Sequence, residues 1–148
     1  MDNINMNEPP NPITVDSIDK ILKFLPIFQQ EGYKFSEWDS PKNFEDGVLC
    51  IPSCNYSKEV IEFEKTLYEE VFIIPFDWVK WQDEAERLVS DPNALRTADL
   101  ETLQKLLTTH VRKEHFCEGH LAAMLREHHI TAILHRLKQI REEMSDSL

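Results

Sequence analysis

A mainly helical fold, one compact domain of about six helices, is what this sequence predicts. Three observations carry the prediction. Apolar residues recur at three-and-four spacing in six separate stretches. Good capping residues stand in front of several of those stretches. A chain of 148 residues with 41% apolar and 29% charged side chains also suits one domain with one core. At this size folding buries roughly 68–70% of the surface that the unfolded chain exposes.

In chain order, residues 1–13 hold Pro9, Pro10 and Pro12 and few apolar side chains, which predicts a disordered arm before a helical domain at 14–143 and a tail at 144–148. From Asp16 the positions Ile18, Ile21, Leu22, Leu25 and Phe28 define a first buried helical face, with Pro26 placed to kink or break it and Gly32 to cap it. Residues 33–55 read as irregular, with Val48 to Ile51 as a brief strand, so a short two-stranded element in the first half is compatible with the pattern. Ser57 caps a second helix through Val60, Phe63, Leu67 and Val71. The run Phe72 to Phe76, interrupted by Pro75, reads as either a strand or a buried connector.

Asp77 is placed to cap a third helix burying Trp78, Trp81, Ala85 and Leu88, and Asp91-Pro92 ends it. Thr97 then caps a fourth, with Leu100, Leu103, Leu107 and Val111 inside. A fifth helix is expected over Glu114 to Glu127 and a sixth from Ile130 to Glu143. Of the fourteen aromatic residues, thirteen lie between Phe24 and Trp81, which points to an aromatic core in the first half. The competing reading of those rings is an exposed cage for a cationic ligand.

Charge is unevenly laid out. The formal net charge is -11, and residues 1–95 carry 8 Lys+Arg against 19 Asp+Glu. Residues 96–141 carry 8 against 5, so an acidic body holds one mildly basic segment, which also contains all six histidines. A field of this overall sign opposes contact with phosphate backbones, and nucleic acid is an unfavoured partner. No apolar run approaches the roughly 18 residues of a spanning helix, so no membrane segment is expected. The polar amino terminus and an odd number of cysteines, Cys50, Cys54 and Cys117, fit a reduced, cytoplasmic protein.

Three segments, IPFDWVKW (74–81), LQKLLTTHVRKEHFCEGHLAAM (103–124) and ITAILHRLKQI (130–140), resemble an uncharacterised bacterial family catalogued as a domain of unknown function. The resemblance spans about Ile18 to Arg141. It implies no activity and assigns no functional residue. It also implies a small residue at the turn before the last helix, where this chain has His128.

The densest run of polar chemistry is HVRKEHFCEGH, residues 110–120. If helical from Glu114, it brings Cys117 and His120 to one face, a pairing suited to metal, and Cys50 with Cys54 can complete a Cys3His zinc site. The competing reading makes Cys117 a small buried hydrophobe and His120 a hydrogen-bonded residue. A glycine inside a helix costs about 1 kcal/mol relative to alanine, so Gly119 needs compensation. Close packing supplies it, or else room for a ligand beside Arg112, His115, Glu118 and His120, with the guanidinium forked onto a carboxylate or phosphate.

For catalysis the segment lacks a nucleophile and an oxyanion donor, and the chain has no phosphate loop, GxSxG, HExxH or CxxC. The expectation is a protein-interaction or regulatory module whose partner is another protein or a second copy. Two alternatives stand beside it. One is a small enzyme or ligand- or metal-binding protein using His110 to His120. The other is a helix-turn-helix that presents Thr131, His135, Arg136 and Lys138 to a nucleic-acid groove.

Overall fold

The computed structural model describes residues 13–38 and 53–146, with side chains through Met144. Helix α1 (Val15–Leu22) starts where Thr14, in extended conformation, accepts a hydrogen bond from the Ser17 amide. It buries Ile18 and Ile21. Pro26 neither kinks nor ends this helix; it sits in the first turn of a separate short helix, α2 (Leu25–Phe28), where a missing N–H leaves no helical bond unmade. The α2 cap is Gln29, and Gly32 belongs to a turn closed by the Tyr33 amide on the Gln30 carbonyl.

Strand β1 (Ser36–Trp38) pairs antiparallel with β2 (Cys54–Tyr56), Trp38 opposite Cys54. This is the two-stranded element that the pattern allowed. The arm expected over 1–13 falls outside the described residues up to residue 12, and the strand expected over Val48 to Ile51 falls outside them entirely. So does Cys50.

Ser57 caps α3 (Lys58–Glu69), as its side chain predicts, by accepting from the Val60 amide. Beneath α3 the aromatic residues form a core cluster: Phe63 meets Phe28 edge-on at 5.1 Å and Phe24 at 5.4 Å, and Tyr33 meets Phe35 at 5.3 Å. Tilted and edge-on packing is what the ring quadrupoles favour.

Helix α3 closes with Val71 at φ 61°, a left-handed conformation that a β-branched residue adopts only under strain. The Phe72 amide bonds the Leu67 carbonyl at 2.9 Å and the Val71 amide bonds that of Tyr68, the pair of bonds that usually puts glycine at this position. Val71→Gly should therefore raise stability by about 0.5–1 kcal/mol, because relief of left-handed strain exceeds the entropy that glycine adds to the unfolded chain. A urea midpoint that fails to rise would show the strain to be small.

Phe72 to Phe76 is a connector. Phe72 and Ile73 are buried, and Thr108 receives the Ile74 amide at 3.0 Å. The third helix starts later than expected: α4 spans Gln82–Ser90, while Asp77 accepts from the Lys80 amide and closes a turn in front of it. Asp91 ends α4 and caps α5 (Pro92–Arg96), a short helix that the Asp91-Pro92 pair starts as well as separates. For α6 (Leu100–Glu114) the cap is Asp99, whose carboxylate takes the Thr102 amide at 2.8 Å. Thr97 instead donates its hydroxyl to the Ala94 carbonyl and closes α5.

Two further helices complete the described chain, α7 (His120–Arg126) and α8 (His129–Asp146), the latter reaching into the expected tail. Helix α8 is the centre of the bundle. It buries Ile130, Ile133, Leu134 and Leu137 completely and packs against α1, α2, α5, α6 and α7. At its far end the Arg141 guanidinium grips Asp19 of α1 through two bonds of 2.9 and 3.2 Å and holds that carboxyl below its usual pKa. Among the described residues no helix is long and apolar enough to cross a membrane.

Candidate functional site

Between α6 and α7 the chain does not continue as one helix. His115 caps α6, and Gly119, at φ 93°, precedes α7. Glu114, the last residue of α6, turns its carboxylate onto the start of α7. It accepts the Gly119 amide at 3.0 Å, the Leu121 amide at 2.8 Å and the Tyr56 hydroxyl at 2.7 Å. The first amides of a helix have no internal acceptor and carry partial positive charge, so a carboxylate belongs there. The Tyr56 oxygen in turn accepts the Ala122 amide, which ties β2 into the same junction. Burial and the Glu114 carboxylate together push the Tyr56 hydroxyl pKa far up.

Gly119 is required here twice over. Its φ disfavours any side chain, and a Cβ would stand 2.7 Å from Cζ2 of Trp38. Gly119→Ala should cost about 2 kcal/mol, from left-handed strain plus displacement of the indole. A thermal melt checks the cost, and Trp38 fluorescence should shift with it.

The junction fixes His120, the first residue of α7, against His110 of α6. His110 Nδ1 lies 2.9 Å from His120 Nε2, one nitrogen donating and the other accepting, so the two rings' tautomers are tied together. His129, the first residue of α8, meets the His110 ring edge-on at 5.0 Å. His110 and His129 are 2% and 6% exposed, and Nε2 of each is buried without a hydrogen-bond partner among the described residues. Few buried polar atoms go unpaired in folded proteins, and each such case asks for a reason.

Burial disfavours the charged imidazole, and the neighbouring histidines add to this. His110 is held well below the usual histidine range, His120 is lowered, and His129 is brought down to about 4. Around His120 the charges disagree: Lys113 lowers its pKa, while Glu114 and Glu127 raise it. At neutral pH the three rings form one uncharged cluster.

A cavity adjoins the cluster at each end. His110 and His120 line one of about 480 Å³ between α4, α6 and α7, with Gln82, Ser90, Thr109 and Lys113. His129 lines the other, of about 670 Å³, between α4, α5 and α8. Val89 forms part of both walls. The hydroxyls in the first cavity are engaged by their own helices, Thr109 by the Lys105 carbonyl and Ser90 by that of Glu86. Neither is bonded to a histidine, so the described cleft holds no nucleophile joined to a base.

Of the residues singled out by sequence, His110 and His120, the two ends of the candidate segment, belong to this cluster. Arg112, His115, Cys117 and Glu118 are all exposed, and Gly119 serves the turn. The physical reason is that the expected helix over 114–127 starts only at His120. Helical spacing therefore does not relate Cys117 to His120, or His115 to Glu118. The metal pairing of Cys117 with His120 has the same flaw, since Cys117 lies in the turn and His120 Nε2 is engaged by His110. Among the described residues no group of three or more His, Cys, Asp or Glu side chains could hold a metal ion.

Of the four residues read as groove-facing, His135 and Lys138 are exposed. Thr131 is buried and bonded to the His128 carbonyl, Arg136 donates to the Ala98 carbonyl, and His135 contacts Gln29. Glu114, Tyr56 and His129 were missed. The available signal was Gly119 itself: read as a turn glycine after a helix, it would have marked Glu114 as a carboxylate facing the next helix start.

His128 explains the turn before α8. Its φ is 64°, a left-handed conformation that glycine, with no Cβ, occupies with less strain.

Fold and site together define a small helical protein built around a neutral imidazole cluster with a cavity at each end. The chain belongs to the family of unknown function DUF6508, whose pattern matches residues 13–143. Searches of curated proteins and of solved structures return no match.

Proposed function

We propose that the protein is a ligand-responsive regulatory module of the bacterial cytoplasm, in which the cleft between α4, α6 and α7 takes a small hydrogen-bonding molecule. The occupied form then acts on another protein or on a second copy. One observation carries the reading. His110 lines a cleft of about 480 Å³, its Nε2 is buried and unpartnered among the described residues, and its other nitrogen is fixed by His120. Such a ring is a preorganised donor or acceptor whose orientation costs nothing further on binding. A cleft of this size lies within the usual range for small-molecule sites. The hydroxyls committed to helix carbonyls favour binding over catalysis. The free thiols of Cys54 and Cys117 support a reducing compartment, and the split between acidic body and basic segment supports docking on a complementary surface.

The test is a fragment panel followed by ligand-observed NMR on the wild type and on Ser90→Phe, which closes the cleft from its exposed mouth. Polar heteroaromatic fragments should bind the wild type and lose at least tenfold in affinity on the variant. A panel without hits, or hits indifferent to Ser90→Phe, would sink the reading.

A further inference from the structure

The second cavity has a different chemistry. Its floor is apolar, formed by Leu88, Leu95 and Ala132 among others, and its volume is about 670 Å³. Arg96 and Arg136 line it against a single carboxylate, Glu127. Among the described residues neither guanidinium forms an ion pair. Arg96 donates to the Asn93 side chain at 3.2 Å, and Arg136 donates to the Ala98 carbonyl at 2.8 Å and the Gln139 side chain at 3.1 Å. In a chain of net charge -11, the two guanidiniums put a local positive balance at this cavity.

Two more features point the same way. His129, 6% exposed and with Nε2 unpartnered, lines this cavity, and a neutral imidazole can present an N–H there. His129 is also the first residue of the 18-residue α8, whose N-terminal dipole favours negative charge nearby. Cations at the rim beside an apolar floor are what an amphipathic monoanion would engage. Such a ligand would lay its apolar body against Leu88 and Leu95 and its acid group on the guanidinium of Arg96.

We infer that the cavity between α4, α5 and α8 binds a small organic carboxylate with an apolar body. A carboxylate fits better than a phosphate ester because most of the wall is apolar and Glu127 already supplies a repelling charge. The two cavities share Val89, but Ser90 lines only the cleft beside His110, so Ser90→Phe tells them apart.

The experiment titrates the full chain with phenylacetate and octanoate, with phenylacetamide and inorganic phosphate as comparisons, and follows amide shifts in the NMR spectrum. Both acids should bind with shifts centred on Ala132 and Arg136, and phenylacetamide should bind at least tenfold more weakly. Arg96→Gln, at an exposed position, should weaken the acids about tenfold without loss of folding, and Ser90→Phe should leave them unchanged. Equal binding of acid and amide would overturn the proposal by making the cavity merely apolar. It would also be overturned by phosphate binding as tightly as the acids, by an Arg96→Gln variant that binds normally, or by no binding of either acid up to about 10 mM.

Discussion

Replacing Glu114 with alanine should destabilise the protein by about 3 kcal/mol, a large share of the stability of a domain this size. The carboxylate answers three donors at once: the amides of Gly119 and Leu121 and the hydroxyl of Tyr56. Removing it leaves those donors in a partly buried junction and takes a negative charge from the start of α7. Glu114→Gln should cost about half as much, because the amide keeps one accepting oxygen and presents an N–H₂ where the second acceptor was. The effect extends beyond stability. Since the same carboxylate sets where α7 begins, His120 should leave His110, and protection of the His120 amide against hydrogen exchange should fall. Equal urea midpoints for wild type and Glu114→Ala would contradict the role assigned to this residue.

The second large effect is expected on acidification. The folded-state pKa values of His110, His120 and His129 lie below the unfolded value near 6.5, so above that pH both states are neutral and the cluster carries no protonation penalty. As pH falls below 6.5 the unfolded chain takes up protons that the folded cluster refuses, and stability declines. The decline from His129 continues to its folded pKa of about 4 and amounts to about 3 kcal/mol. His110 and His120 add to it. The protein should therefore unfold in the pH 4–6 window, before most carboxylates are protonated. Urea midpoints measured from pH 7.5 to 4.5 should fall steeply below 6.5, and His129→Gln should flatten the slope by about 1.4 kcal/mol per pH unit. A midpoint independent of pH over that range would contradict a buried neutral cluster.

Much of the helical frame was legible in the chain because it rests on local signals. Ser57 caps α3 as its side chain predicts, and the apolar positions of α8 from Ile130 to Ile140 are the buried ones. Errors arose where two local signals compete. Asp77 and Thr97 are both good caps, yet each closes a turn, while the helices begin at Gln82 and Leu100. The site was less legible, for a reason of distance. Tyr56 and Glu114 are 58 residues apart, and their contact belongs to the turn after α6, so the helix expected from Glu114 begins only at His120. Gly119 was rightly singled out as needing compensation, but a left-handed turn against the Trp38 ring supplies it, rather than a ligand in a helix. All six histidines share one segment, and the three that meet come from three helices, with His110 inside α6. His120 and His129 each stand at a helix start.

The most direct test of the neutral cluster is a pH titration of the six histidines by long-range proton–nitrogen NMR on the full chain. The cluster predicts that His110 and His129 stay neutral as pH falls from 7.5 for as long as the chain remains folded, that they take up protons only together with the loss of native signals, and that His110 Nδ1 shows a hydrogen bond to His120. Titration of His110 or His129 near the ordinary value of 6.5 would contradict it.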